Sequence, residues 1–491
     1  MSNKPSTQNA EGVALKKQLN PMNVWAIAFG CIIGWGSFIN PGKKFLPTSG
    51  VAGTTVALFA GALIMIIIAF SYAYMVPKFP KAGGEFTFTK ECFGKRAAYL
   101  CGWFLVAAYL TNVPMNSTAL GLIVDGLDGD ANILQFGFSY TIAGFKVHLG
   151  EIIFAMAILI LFAIFNIMGV KIAGVLQTIL AVLLAVSVFT LAITAVISSK
   201  TSIENFIPFW GFDKSHAVEC MEKGVALEII PKTENSSIFS GILATLAIAP
   251  WAFVGFDTIP QAAEEFKFSY KKVSFIMIIA IIFGWFVYCS NNAIAAAALE
   301  NWPELSVKGD WVLLEAANVL LGTPGKILVG VGVSCAVLSG IMGFYMAASR
   351  LMYSMSREGY LPQIFSKLDK KRGTPKNAML FCMIVSLCGP ILGREALGWF
   401  VDMSAIGASI GFGFTSFACF VTLKKYKEMT PFMGIMSMLG GIFSVMFMIL
   451  QLVPIPGLEG VHFVWQSYIM LVVWIAIGAV FYFKQRKFFD K

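Results

Sequence analysis

Charge is scarce in this chain. Asp, Glu, Lys and Arg make up 13% of it, against about a quarter in a soluble domain. Histidine is scarcer still, and His148, His216 and His462 stand too far apart in the sequence to suggest a catalytic triad or a metal centre. Nine cysteines include no CxxC pair, so neither a disulfide framework nor a zinc site follows. The stretch Gly407-Ala-Ser409-Ile-Gly411 matches GxSxG by letter, but it lies in an apolar run without the strand–turn–helix context of a nucleophile elbow. Small residues at that spacing are ordinary helix-packing surface. Neither an enzyme nor a cofactor is expected.

What the chain has in excess is apolar side chains, 57% of the total. Runs near 20 residues recur along nearly its whole length, which predicts an all-α polytopic membrane protein with the lipid bilayer as its main partner. About twelve spans are expected, near 22–46, 51–77, 97–123, 149–168, 172–198, 238–260, 272–299, 325–355, 376–393, 397–423, 430–453 and 463–484. The first run follows Lys16 and Lys17 as a signal peptide would, but it is too long and has no small-residue cleavage site. The net charge of +9 is not a nucleic-acid signal, because its distribution follows membrane topology. Lys and Arg crowd the connections 78–96, 267–272, 357–376 and 424–427 and the tail 484–491, whereas Asp125, Asp128, Asp130 and the loop 199–237 fall on the other side. Lys43 and Lys44 depart from that pattern. Both termini are thereby expected in the cytoplasm and the protein in the plasma (inner) membrane.

Within the first run, residues 30–42 read GCIIGWGSFINPG. Each glycine weakens a helix by about 1 kcal/mol, and a helix broken at membrane depth is tolerated only where it lines a polar cavity. A second interruption, IAPWAFVGFD, occupies residues 248–257: Pro250 removes a donor, Gly255 loosens the next turn and Asp257 puts a carboxyl into an apolar run. The two interrupted spans open two successive five-helix blocks that enter the membrane from opposite sides. Discontinuous helices at matching positions of inverted halves point to a midplane binding site.

Four stretches resemble the amino acid–polyamine–organocation (APC) superfamily: GCIIGWGSFINPG; FPKAGGEF from Phe79 with the following KECFG; WAFVGFDTIPQAAEEF from Trp251; and Ala348 to Pro362 with Thr374-Pro375. The resemblance spans residues 22–423 and implies a LeuT-like fold, a five-plus-five inverted repeat with helices one and six broken. The expected divisions are a cytoplasmic tail 1–20, a first repeat 21–200, an extracellular loop 201–237, a second repeat 238–424, and helices eleven and twelve with a tail over 425–491.

Amides freed at Gly36, Ser37 and Phe38 would head a half-helix whose positive end suits a carboxylate, while carbonyls near Ile32, Trp251, Ala252 and Val254 would accept from an ammonium group. The expected substrate-binding set is therefore Ile32, Gly34, Trp35, Gly36, Ser37, Trp251, Ala252, Phe253 and Val254. Asn112 and Asn116, one turn apart, either line the pocket or glue helices together. The resemblance implies that the aromatic at Trp251 covers the substrate. It further implies that Lys171 stands where sodium sits in sodium-coupled relatives, bracing helix one against helix eight with Ser339 as partner; the plain alternative is a lysine snorkelling out at the cytoplasmic end. A lysine buried at that place that loses its proton could couple transport to protons. The resemblance also implies a coupling role for Asp257, linked in some members to proton sensing or substrate charge; the plain alternative is a helix-interior acid satisfied by neighbouring backbone. Glu85, Arg350 and Arg357 read as structural charges of the cytoplasmic face.

Trp35 stands where the family usually has a small residue, which implies either a small substrate or an amine headgroup held by cation–π attraction. Ala108 stands where cationic-amino-acid carriers have Glu, which argues against Lys or Arg as cargo. The expectation is a sodium-independent, proton-coupled symporter or exchanger of a small amino acid, working by alternating access as a monomer or homodimer. An amine or polyamine carrier is the alternative. A nutrient receptor would call for a large signalling domain, and a channel for a continuous polar stripe; neither is visible.

Overall fold

The computed structural model describes residues 14–128, 131–142, 144–394, 396–456, 458 and 461–489. Tail residues 1–13, Asp130 and the last two residues, expected above in loops and tails, lie outside the described residues.

Asn20 starts the first helix with a reciprocal capping box to Asn23, and Pro21 occupies the position where a missing amide costs nothing. This helix, α1 (Pro21–Ile32), stops at an extended Ile33. After three residues the chain resumes as α2 (Gly36–Asn40), passes through a π turn at Pro41–Phe45 and continues as α3 (Leu46–Lys78). No loop separates the first two expected spans. They join through a kink at Gly50, whose φ of 63° and contact with the Phe209 carbonyl leave no room for a side chain. Helix α4 (Gly84–Asp128) starts a dozen residues before the expected span and bends at Gly94.

A hairpin of β1 (Ser139–Ile142) and β2 (Phe145–His148) leads into α5 (Leu149–Met168) and α6 (Val170–Ile197). The 199–234 connection carries a short α7 (Lys214–Glu222). The sixth expected span is three pieces, α8 (Asn235–Leu246), α9 (Ala249–Ala252) and α10 (Thr258–Gln261). Beyond it come α11 (Val273–Ala297), α12 (Trp302–Lys308), α13 (Val312–Leu321), α14 (Thr323–Arg357), α15 (Lys376–Ser386), α16 (Ala396–Lys425), α17 (Pro431–Leu452), α18 (Trp465–Lys484) and α19 (Arg486–Phe489).

Among the described residues ten helices are long and apolar enough to cross a membrane; α1, α13 and α15 are shorter apolar helices, the first because of its break. The chain is an all-α polytopic membrane protein. At its centre α4 packs on α14 and α16, and α1 is wedged between α6, α11 and α14. The outward faces of α17 and α18 stay apolar, with Ile435, Ile442, Val472 and Val473 exposed, as a surface solvated by lipid requires. The GxSxG stretch is packing surface: side chains added at Gly407 and Gly411 would strike the Phe104 carbonyl and Leu105.

Helices α12 and α13 were not expected from the sequence. They cap the end of the first span, where Trp311 donates to the Phe38 carbonyl at 2.9 Å, Ser306 bonds the Gly42 carbonyl and Val312 fills the space beside Gly42.

Candidate functional site

The two breaks touch. Gly255 has φ 142°, and a β-carbon there would lie 2.6 Å from the Ile32 amide nitrogen, so the backbones of the two interrupted spans cross in direct contact. On the first span the amides of Ser37 and Phe38 are not free as expected: the chain enters α2 through a tight turn in which they donate to the Gly34 and Trp35 carbonyls at 3.3 and 3.1 Å. The Ser37 hydroxyl is also used internally, on Gly34 O at 3.0 Å. Among the described residues the amides without a backbone partner lie one step earlier, at Gly34, Trp35 and Gly36. The Ile32 carbonyl is free as expected.

On the other span, Trp251 O accepts from Val254 N, so the free carbonyls are those of Ala252, Phe253 and Val254. Unpaired donors on one break and unpaired acceptors on the other therefore lie on either side of the Gly255 contact, at a depth where unsatisfied backbone groups are costly.

The side chains around that place are sharply divided. Asn116 stands beside Gly34, its Oδ1 3.4 Å from where a Gly34 β-carbon would be, and that oxygen is buried without a partner. Asn112, one turn away, is committed elsewhere, donating to Ala108 O at 2.7 Å and to Ser404 at 2.6 Å. It is interhelical glue. Trp251 lies over Gly36, and its ring centre is 6.0 Å from that of Trp35, tilted by 52°. The Trp35 indole N–H is buried and unpartnered. From the α2 side a cleft of about 250 Å³ reaches down to both tryptophans, lined also by Asn40, Asp402, Gln451 and His462.

Lys171 is not in the site. It is exposed at the first turn of α6, and α6 runs beside α1 so that Gly174 meets Asn23 and Gln177, a turn further on, reaches the level of Ala26 and Gly30. Gln177 donates to Ala26 O at 3.2 Å and Ser339 donates to Gly30 O at 3.1 Å, with Gly30 small enough to admit both. A neutral brace thus ties α1 to α6 and α14 where a charged one was expected; Ser339 belongs to it and Lys171 does not. The signal for Gln177 was a lone amide in an apolar helix. Lys171→Ala is expected to leave proteoliposome uptake unchanged, whereas Gln177→Leu should lower it.

On the side away from the cleft the site is shut. The extended residues before α1 pair with the end of the sixth span, Gln18 N and Leu19 N donating to Glu265 O at 2.9 and 3.0 Å and Lys267 N to Leu19 O at 2.9 Å. Arg350 and Glu265, both with fully buried side chains, pair at 3.1 Å, and Arg357 pairs with Glu264 at 2.7 Å. Burial pushes the Glu265 carboxyl above the ordinary range despite the pull of Arg350. Glu264 also accepts from Ala82 N in the FPKAGGEF motif, whose Ala82 O takes Ser354. Arg350 and Arg357 form structural ion pairs, but Arg350 is fully buried where a face charge was expected.

Asp257 holds its own break: Oδ1 accepts from Gly255 N at 2.7 Å and Oδ2 from the Tyr109 hydroxyl at 2.9 Å. Glu85 is not a face charge. It is fully buried beneath the break, bound by Tyr72 at 2.9 Å and Gln261 at 2.5 Å.

Two broken helices crossing over a small buried polar space is the arrangement expected of a solute carrier, and the family model described as amino acid permease matches residues 19–480. The chain belongs to this family, within the APC superfamily. This permease is 24% identical over 485 residues to the methylthioribose transporter of Bacillus subtilis, covering 96% of this chain and 93% of the relative. It is 24% identical over 487 residues to a branched-chain amino acid permease of the same organism, with the same coverages. With the human large neutral amino acids transporter small subunit 2 it shares 27% over 377 residues, 77% of this chain and 64% of that one. Family and relatives alike point to transport and away from an enzyme.

Proposed function

We propose that this permease moves a small neutral amino acid across the plasma membrane by alternating access, without sodium and with a proton. The observation that carries the reading is the pairing of free amides at Gly34–Gly36 with free carbonyls at Ala252–Val254 across the Gly255 contact. A zwitterion offers a carboxylate to the first set and an ammonium to the second. Asn116 supplies the one unpartnered side-chain oxygen beside Gly34. Trp251 lies over the site as a lid, and the cleft above it is the path by which substrate arrives. Sodium independence is supported by the brace: the carbonyls of Ala26 and Gly30 already face the donors Gln177 and Ser339. With both termini in the cytoplasm, the cleft faces outward and the Arg350–Glu265 layer is the closed inner gate.

A second reading has its own observation. Trp35 and Trp251 form two walls 6.0 Å apart between centres, an arrangement that suits an organic cation. One panel separates the readings: thermal stabilisation of the purified protein by glycine, L-alanine, L-leucine, L-arginine, putrescine and methylthioribose. A true ligand at 100 times its dissociation constant stabilises a one-site protein by about 2.7 kcal/mol. Stabilisation by L-alanine or L-leucine supports the amino-acid reading; putrescine alone would transfer it to amines. Trp251→Ala should abolish uptake of whichever compound scores, while wild-type uptake stays indifferent to replacing sodium by choline.

A further inference from the structure

Two carboxyls lie in one fully buried cluster beneath the breaks, and among the described residues no cation pairs with them. Asp257 approaches from the sixth span and Glu85 from the start of α4, and the Tyr109 hydroxyl stands between them, 2.9 Å from Asp257 Oδ2 and 3.5 Å from Glu85 Oε1. Tyr72 of α3 and Gln261 of α10 complete the cluster; Gln261 donates to Glu85 and lies 3.3 Å from Tyr109. All five side chains are fully buried. The surroundings are apolar rings: Tyr72 meets Phe256 at 5.5 Å, Phe256 stacks on Phe412 at 5.3 Å, and Phe344 lies along Tyr109.

The other titratable groups that face the pair are the thiols of Cys31 on α1, near Asp257, and Cys101 on α4, near Glu85. α16 adds the Thr415 hydroxyl beside Tyr72 and no charge. Arg350 and Arg357 of α14 are engaged by Glu265 and Glu264. Among the described residues no lysine, arginine or histidine pairs with either carboxyl. Two anions in such a place repel and lack solvation, so one of them keeps a proton.

We propose that Glu85 and Asp257 share a single proton through Tyr109, and that this is the proton the permease couples to transport. The step balances. The Glu85 O–H bond breaks as a new bond forms to the Tyr109 oxygen, the old Tyr109 O–H bond breaks as Asp257 gains its proton, and the phenol is left unchanged. Coupling follows from where the partners sit. Glu85, Tyr72 and Tyr109 belong to α3 and α4, whereas Asp257 and Gln261 belong to the sixth span. Opening the gate on this side must part the two groups, admit water and allow both carboxyls to ionise. The closed gate holds the proton and the open gate releases it.

This inference rests on the proton-coupled reading above, and the test keeps the two apart. Infrared spectra of the full-length protein in lipid should show a protonated-carboxyl band that Glu85→Gln or Asp257→Asn removes and that Tyr109→Phe shifts. In proteoliposomes, an inward-directed proton gradient should drive uptake of a mixture of radiolabelled L-amino acids by the wild type. Glu85→Gln should lose that drive while counterflow of the same mixture persists; Tyr109→Phe, which deletes one oxygen, checks the result if Glu85→Gln does not fold. Absence of any carboxyl band that these variants alter overturns the shared proton whatever the transport data show. A gradient-driven wild type whose Glu85 and Asp257 variants are equally gradient-driven overturns its coupling role. A band present with no gradient dependence in the wild type removes the proton-coupled reading and leaves the shared proton standing.

Discussion

Replacing Arg350 with alanine is expected to destabilise the permease by about 3–5 kcal/mol, because removal of one member of a buried ion pair strands the other. Arg350 and Glu265 have fully buried side chains, and Glu265 is also the residue whose carbonyl receives Gln18 and Leu19 from the segment before α1. The loss should therefore appear as a lower melting temperature and as a gate that no longer shuts, read by protease access to the segment before α1. The pair itself contributes little net stability. Taking both charges out of water costs about as much as their mutual attraction returns. The double variant R350M/E265L should accordingly melt within about 1–2 kcal/mol of wild type, since apolar replacement of both members of such a pair is often neutral. A double variant as unstable as the single one would show that the charges, and not their burial, hold the gate.

The second large effect is expected at Gly255. Alanine there meets two penalties: a backbone conformation that costs a side-chain-bearing residue about 1–3 kcal/mol, and a collision with the Ile32 amide and Cys31, where overpacking adds about 1–3 kcal/mol. The colliding atoms are two backbone atoms and the Cys31 β-carbon, so no rotamer change relieves them. Purified G255A should melt lower by the sum of these, and transport should fall further than stability, because the contact sets the distance between the free amides and the free carbonyls. Gly34→Ala is the contrast. Its added methyl would meet only Asn116 Oδ1 at 3.4 Å, so the fold should survive while ligand-induced stabilisation is lost. Equal folding and equal ligand response in all three proteins would remove the crossed breaks from the binding site.

Much of this was legible in the chain. Apolar runs of membrane length, interrupted at residues 33–35 and 253–257, identified a polytopic carrier and the two places where its helices fail, because glycine, proline and a buried acid are tolerated in lipid only for a reason. The four family stretches led to the same conclusion, and a family match over residues 19–480 bears them out. What the sequence could not reveal is which polar groups satisfy one another. Lys171 and Gln177 are six residues apart on one helix, and only packing against α1 decides that the amide faces Gly30 while the lysine stays exposed. Asn112 and Asn116 look alike along α4, yet Ser404 on α16 engages one and leaves the other facing Gly34.

The sequence by itself determined that this protein lives in a bilayer, where its helices break and to which family it belongs, since these depend on composition and local backbone preference. Only the tertiary structure decided that the breaks cross at Gly255, that Glu85 lies beneath them with Asp257, and that Arg350 closes the layer below. Those depend on hydrogen-bond partners and buried charges brought together from distant parts of the chain, and no local pattern encodes such meetings.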